Sequence, residues 1–500
     1  MVPMRGDGEQ DTSAAAAAVP PAPANQTTSA PGAPASPPAP PGSGILGWFD
    51  ALRGLLDRPL ASYYLLLSSV GLLVFIGLAM VFSVTGIEGV AETGDPFGPV
   101  FKQTIFAVVG LVVFWVCQRL PVRTFRAIAM PLLIAAFVLM AFVDLMGWLS
   151  ASRTPPGEKV KAIRLGPIWA EDLWLHLGGV QVQPAELAKV ALVVWGADLL
   201  VRKGRTILSW RELFMPLLPV TVALLLLVGY NDLGSMICLV VLFTGLLWAA
   251  GARLPVFAWL GGLAAAGVLA LILLPAEKDY RLARIKVFFD PSIDPDARNG
   301  RYQYLRGLWA IGNGGWFGVG LGESQLKWGR LPNAHNDFIF AIVAEELGVV
   351  GCLVVLVLFG MLTYTGLRIA RRVEDPFRRL VAAAITIWFV GQAIINIGGV
   401  VGIMPITGLP LPFISDGGTA LVVALGAAGM LSSAARAEPD CARAMHARPP
   451  RKWVRLLWAP LPPLPRARAD SDGDVPSTRA TGRPLTPQGG SPGRTRGRSS

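Results

Sequence analysis

Charged side chains are scarce in this sequence: Asp, Glu, Lys and Arg together make up 15% of its 500 residues. A soluble domain carries roughly a quarter of its residues as charges, so an ordinary water-facing surface is excluded. Cysteine and histidine are rarer still, four and three residues respectively. Cys117, Cys238 and Cys352 fall inside apolar runs and Cys441 lies in the C-terminal tail, none at disulfide or metal-ligand spacing. A disulfide scaffold and a zinc module are thereby set aside. The first 45 residues, rich in Ala, Pro and Ser, contain no apolar stretch of the kind a signal peptide needs. The first apolar run is therefore expected to serve as the membrane anchor.

What the chain has in quantity is apolar surface: 53% of residues are hydrophobic and the mean hydropathy is +0.52. A bilayer core of roughly 30 Å takes about 20 helical residues to cross. Runs of this kind occupy 63–84, 103–120, 126–146, 184–201, 213–230, 233–251, 254–274, 338–367, 380–400 and 418–436. The expected fold is an all-α integral membrane protein of about ten transmembrane helices, with a large extracytoplasmic loop, 275–337, between the seventh and eighth. Residues 1–46 and 437–500 have the composition of disordered tails, the second one basic, and 47–436 form the membrane domain.

The net charge of +11 would point to nucleic acid in a soluble protein, but here it sets topology. Loops 119–126, 202–211 and 368–379 carry Arg119, Arg123, Arg126, Arg202, Lys203, Arg205, Arg211, Arg368, Arg371, Arg372, Arg378 and Arg379, whereas 85–101, 229–232 and 401–417 have neither Lys nor Arg. The positive-inside rule then predicts that both termini are cytoplasmic. On the opposite side, 147–183 and 275–337 are long, and a structureless loop of the second length is unusual unless functional. It holds Lys278, Arg281, Arg284 and Lys286, a basic stretch that asks for an anionic ligand.

Ionisable groups at bilayer depth are costly, so each is a functional candidate. Glu186 and Lys189 follow Pro184 at i,i+3 spacing, which predicts an ion pair on one helix face. Asp232 opens the sixth run, where it would cap its helix or act chemically. Asp337 stands just before the eighth, and Asn396 lies near the end of the ninth. By the predicted topology all five are extracytoplasmic. Glu345 and Glu346 lie ~12 Å beyond Asp337 along a helix and are expected to pair within the bundle. His335, two residues from Asp337, is either structural or orients that carboxylate. The glycines between Gly312 and Gly322 match neither a P-loop nor a dinucleotide turn and are expected to be flexible or tightly turned backbone.

These residues stand in a recognisable order. Gln183-Pro184-Ala185-Glu186-Leu187-Ala188-Lys189, Asp232-Leu233-Gly234-Ser235, Tyr302-Gln303, Trp309-Ala310-Ile311-Gly312-Asn313-Gly314-Gly315, Leu331-Pro332-Asn333-Ala334-His335-Asn336-Asp337 and Pro405 to Gly418 together resemble the SEDS family of peptidoglycan glycosyltransferases. The likeness runs over about residues 60–436 and is nearer the family's division branch than its elongation branch. Two departures stand out: Asp416 adds a carboxylate between Ser415 and Gly417, and Arg164 is separated from Trp169 and Trp174 where the family carries an Arg-Trp pair.

The resemblance implies polymerisation of lipid II, a disaccharide-pentapeptide on undecaprenyl pyrophosphate, at the outer face of the cytoplasmic membrane, for the division septum. It implies Asp337 as catalytic base, with Glu186, Lys189, Arg281, Arg284, His335 and Ser415 as the substrate-binding set. A carboxyl of ordinary pKa, about 3.9, is a weak base at neutral pH, so partial burial is expected to raise it. A divalent metal, Mg or Mn, could share the pyrophosphate charge, though nothing in the sequence fixes one. The partner implied is a class B penicillin-binding protein transpeptidase, with other division proteins. An elongation-type polymerase, a lipid II flippase and a non-catalytic scaffold remain as alternatives.

Overall fold

The computed structural model describes residues 54, 56–93, 97–153, 164–165, 167–171, 173–178, 180–204, 215–273, 300–328, 331–332 and 334–464. The N-terminal tail, the end of the C-terminal tail and the basic stretch with Arg281 and Arg284 lie outside the described residues.

A helix stands at each of the ten apolar runs: α1 (Ala61–Thr93), α2 (Gly98–Arg119), α3 (Val122–Arg153), α4 (Pro184–Lys203), α5 (Leu217–Asn231), α6 (Leu233–Ala249), α7 (Leu254–Leu273), and, after α8 (Gly300–Gly314), α9 (Ile339–Arg372), α10 (Pro376–Val401) and α11 (Thr419–Arg436). Six of them, α1, α2, α3, α9, α10 and α11, are long and apolar enough by length and composition to cross a membrane. Three of the other four differ for visible reasons. Helices α5 and α6 are shorter apolar helices of 15 and 17 residues, separated at Asp232. Helix α4 carries Glu186, Lys189, Asp198, Arg202 and Lys203, and buries the first three.

Position in the bundle follows side-chain size. Helix α11 is lined with small residues and packs closely on α2: a Cβ on Gly429 would sit 2.5 Å from the Phe114 carbonyl oxygen, and one on Gly110 would sit 2.6 Å from Leu425. Small residues allow this approach between helices where no water drives association. The far side of α2 exposes Phe101, Ile105, Val108, Val112 and Val116, a stripe suited to hydrocarbon. Helix starts are chemically specified. Asp375 accepts from the Arg378 amide at 2.8 Å ahead of Pro376 in α10, and α10 stops at Gly402, whose φ of 87° is left-handed.

Two features sit where long loops were expected. Between α3 and α4 lies a four-stranded antiparallel meander, β1 (Arg164–Leu165), β2 (Ile168–Glu171), β3 (Trp174–Leu177) and β4 (Val180–Val182). Trp169 pairs with His176 in register and the rings stack at 3.6 Å. Ala170 and Leu175 pack on Val143 and Met146 of α3, which runs past its predicted end to Arg153. The second feature is α8 with the glycine-rich segment behind it. Gly315, Gly318, Gly320 and Gly322 have positive φ, so this backbone is tightly turned. It lies along an interruption of α9 at Gly348 (φ 67°, ψ −165°). The groups freed there are paired: Val349 donates to Gly315 at 3.0 Å, Val350 to Trp316 at 3.2 Å, and Glu345 and Glu346 accept from Val319 and Gly320 at 2.9 and 3.1 Å.

The C-terminal segment corrects the expectation of a disordered tail from 437 onward. Helices α12 (Pro439–Ala447) and α13 (Lys452–Leu457) follow α11, and Cys441, Ala442 and Ala459 are buried. Apolar and backbone contacts with the helix ends overcome the composition.

Candidate functional site

Asp337 forms the last turn before α9 and is 7% exposed. Its backbone is held from outside with unusual completeness. The Asp416 amide donates to the His335 carbonyl at 2.9 Å, the Ser415 hydroxyl to the Asn336 carbonyl at 2.7 Å, and the Asn396 amide nitrogen to the Asp337 carbonyl at 2.8 Å. Three consecutive carbonyls are thus each fixed by a separate donor, one from α10 and two from the segment between α10 and α11. Ser415 also accepts from the Leu411 amide at 2.7 Å, so one hydroxyl joins the two segments. A narrow cleft beside the carboxylate is lined by Phe338, Ile395, Asn396, Thr407, Gly408 and Leu409.

Helix α10 acts as a ruler for that segment. Asn396 reaches the Leu409 carbonyl at 2.7 Å, and Gln392, one turn earlier, reaches the Pro410 carbonyl at 2.8 Å. The Gln392 side-chain oxygen accepts from the Trp388 indole at 2.7 Å and from the Lys189 ammonium at 3.0 Å. Lys189 pairs with Glu186 at 2.7 Å, and the two side chains are 0% and 2% exposed. The i,i+3 pair expected from spacing is therefore formed, and it ties α4 to α10. Lys189 is spent on internal partners, whereas Glu186 lines a second small cleft with Phe413 and Ser415. The segment 409–415 consequently has Asp337 on one side and Glu186 on the other.

The stretch 407–415 is pressed from two further directions. A Cβ on Gly77 of α1 would stand 2.5 Å from the Phe413 carbonyl oxygen, and one on Gly234 would stand 2.6 Å from that of Thr407. Phe413 itself has a φ of 67°, a region costing a side-chain-bearing residue about 1–3 kcal/mol and usually retained only where the surroundings enforce it. Its ring packs edge-on against Phe389 at 4.9 Å. Asp232 accepts from the Ser235 amide at 3.0 Å and caps α6, the structural one of its two expected roles.

Glu345 and Glu346 do pair inside the bundle. Glu346 meets Lys327 at 3.1 Å, with side chains 0% and 1% exposed, and accepts from Ser83 at 2.6 Å. Glu345 accepts from the Ser324 hydroxyl and from the Gln325 amide. Lys327 and Gln392 escaped the sequence reading. Lys327 lies in a loop 19 residues before its partner Glu346, and Gln392 is uncharged, so neither drew notice. Arg281 and Arg284 lie outside the described residues. Among the described residues no group of three or more His, Cys, Asp or Glu side chains is placed to hold a metal.

The chain is similar to known proteins in sequence and fold. The family model for FtsW/RodA/SpoVE cell cycle proteins matches residues 63–439. The probable peptidoglycan glycosyltransferase FtsW of Mycobacterium tuberculosis is 40% identical over 408 residues, 81% of this chain and 74% of that protein. The stage V sporulation protein E of Bacillus subtilis is 34% identical over 366 residues, 73% of this chain and 94% of that one. Among solved structures, a chain of a peptidoglycan synthase complex studied for its coordination of polymerization and crosslinking is 26% identical with a TM-score of 0.57, covering 74% of this chain and 96% of its own. The rod shape determining protein RodA of Thermus thermophilus is 25% identical with a TM-score of 0.51, over 74% and 95%.

Proposed function

We infer that this chain, which belongs to the FtsW/RodA/SpoVE family of cell cycle proteins, is a multi-pass membrane peptidoglycan glycosyltransferase serving cell division. The observation that carries the assignment to a site is the threefold hold on the turn bearing Asp337. A base must keep its place to within a fraction of an ångström of the proton it takes, and fixing three successive carbonyls supplies that.

The proposed substrate is lipid II. The 4-hydroxyl of the acceptor sugar attacks C1 of the donor; as the new C1–O bond forms, Asp337 takes the hydroxyl proton. The bond from C1 to the pyrophosphate oxygen breaks, its electron pair leaves with the pyrophosphate, and C1 inverts. Pyrophosphate needs little help from an acid, unlike the leaving group of a glycosidase. In this reading Glu186, which lines the second cleft with Ser415, meets a sugar or peptide hydroxyl, and His335 helps to shape the site beside Asp337. Lys189 holds Glu186 rather than reaching substrate, which leaves Arg281 and Arg284 as the proposed pyrophosphate cations. A divalent ion, where one takes part, would draw most of its oxygens from the pyrophosphate, as Mg²⁺ does at phosphate sites.

The helix ends bearing Arg119, Arg126, Arg202, Arg372 and Arg436 lie away from Asp337, which supports cytoplasmic termini and an extracytoplasmic reaction at the septum. Likeness to a chain of a synthase complex supports a class B penicillin-binding protein transpeptidase as partner. The test supplies purified protein and that partner with labelled lipid II, blocks cross-linking with a β-lactam, and resolves glycan strands on a gel. Strands are expected. Transbilayer movement of lipid II in vesicles without any strands, beside an active control polymerase, would establish a transporter instead.

A further inference from the structure

We propose that the segment Arg448–Trp458 is a docking surface for anionic phospholipid headgroups, laid against the membrane at the bundle end opposite Asp337. From Cys441 to Leu464 there is no acidic residue, while Arg448, Arg451, Lys452 and Arg455 fall within it; Arg443, also in this stretch, pairs with Asp440 at 3.2 Å. The apolar side chains between them face outward: Trp453, Leu456 and Leu457 are 60%, 75% and 66% exposed. Arginine and lysine interleaved with exposed tryptophan and leucine is poorly suited to water. It is well suited to the interface, where cations meet lipid phosphates and aromatic rings sit at headgroup depth.

The segment's depth is fixed by its anchors. The Trp115 indole donates to the Leu457 carbonyl at 2.5 Å and Arg119 to that of Leu456 at 2.5 Å. The Trp458 indole donates to the Tyr63 hydroxyl at 2.5 Å, and Arg436 donates to the Pro460 carbonyl at 2.6 Å. Tyr63 belongs to the first turn of α1, and Trp115 and Arg436 lie near the ends of α2 and α11, so the segment is clamped to the end turns of membrane-spanning helices. Val112 and Val116, the lipid-facing residues of α2, lie one turn or less from Trp115. The exposed side chains of the segment therefore stand where hydrocarbon gives way to headgroups. The inference needs only that these helices cross a bilayer; it holds whichever way the chemistry at Asp337 is settled.

The experiment uses the full chain in nanodiscs of phosphatidylcholine alone or with 30% phosphatidylglycerol, bearing an environment-sensitive fluorophore on the variant Leu456→Cys. In the anionic discs the probe should shift to the blue, resist an aqueous quencher and be quenched by headgroup-labelled lipid. Replacing Arg451 and Lys452, both exposed, and the half-buried Arg455 by Gln should weaken docking roughly fivefold per cation, and raised salt should do the same. The variant Trp458→Ala, which removes an anchor, should free the probe without changing charge. Equal quencher access in both disc compositions would overturn the proposal. So would protection that appears only on adding a soluble division protein, which would make the surface a protein site.

Discussion

At the Asp337 end of the bundle, Lys189 and Glu186 are 0% and 2% exposed and Lys327 and Glu346 are 1% and 0% exposed. At the other end, Arg126 and Arg202 reach Asp198 at 2.6 and 2.7 Å with side chains 37% and 64% exposed. Both ends hold ion pairs with a buried carboxylate, Asp198 being 7% exposed, but only the first has removed the cation from water as well. A solvated pair contributes about 0–1 kcal/mol. A buried pair gains little net, yet leaves an uncompensated charge costing about 3–5 kcal/mol when one partner goes. The arginine end thus orients and tethers the chain, while the Asp337 end has its geometry fixed by groups that cannot be removed singly.

The sharpest break in that comparison is Lys189→Met. It should destabilise the protein by about 3–5 kcal/mol in thermal unfolding, and Lys189→Met combined with Glu186→Gln should recover most of the loss. Asn396→Ala comes next. It removes the donor shared by the Asp337 and Leu409 carbonyls, at about 1–3 kcal/mol, and should lower kcat by roughly 10²-fold through misplacement of the carboxylate, with less effect on KM. Arg202→Gln at the opposite end should cost no more than about 1 kcal/mol and leave strand formation unchanged.

The smallest effect concerns Glu438, just beyond α11. Burial pushes its carboxyl up, with Ser62, Arg368 and Arg372 opposing. A raised carboxyl favours the fold fully below its unfolded pKa, and that contribution is lost as pH rises through the folded value. Glu438→Gln should therefore unfold at an equal or higher temperature than wild type at neutral pH, with the gap closing as the medium is acidified.

The ten helices were legible in the sequence because a bilayer demands long apolar runs and little else can satisfy it. The Glu186–Lys189 pair and the Asp232 cap were legible because both are local, set by spacings of three residues. What escaped was non-local or short. Lys327 finds Glu346 only through the fold of the glycine segment, and Gln392 matters through carbonyls supplied by a different stretch of chain. The strands between Arg164 and Val182 span two to four residues, too few for an alternating pattern to register. The docked segment after Pro439 has a tail's composition and is ordered by partners on α1, α2 and α11. At the site itself, sequence could mark Asp337 and Ser415 as candidates but not that Ser415, Asn396 and Asp416 hold three adjacent carbonyls around the first.

The most direct test of that central claim replaces Asp337 by Asn, nearly isosteric and unable to take a proton, and follows glycan-strand formation from labelled lipid II beside wild type matched in unfolding temperature. A loss of at least about 10²-fold with unchanged stability is the predicted result. Strand formation by Asp337→Asn at the wild-type rate would contradict it, removing Asp337 as the base while leaving the enzyme.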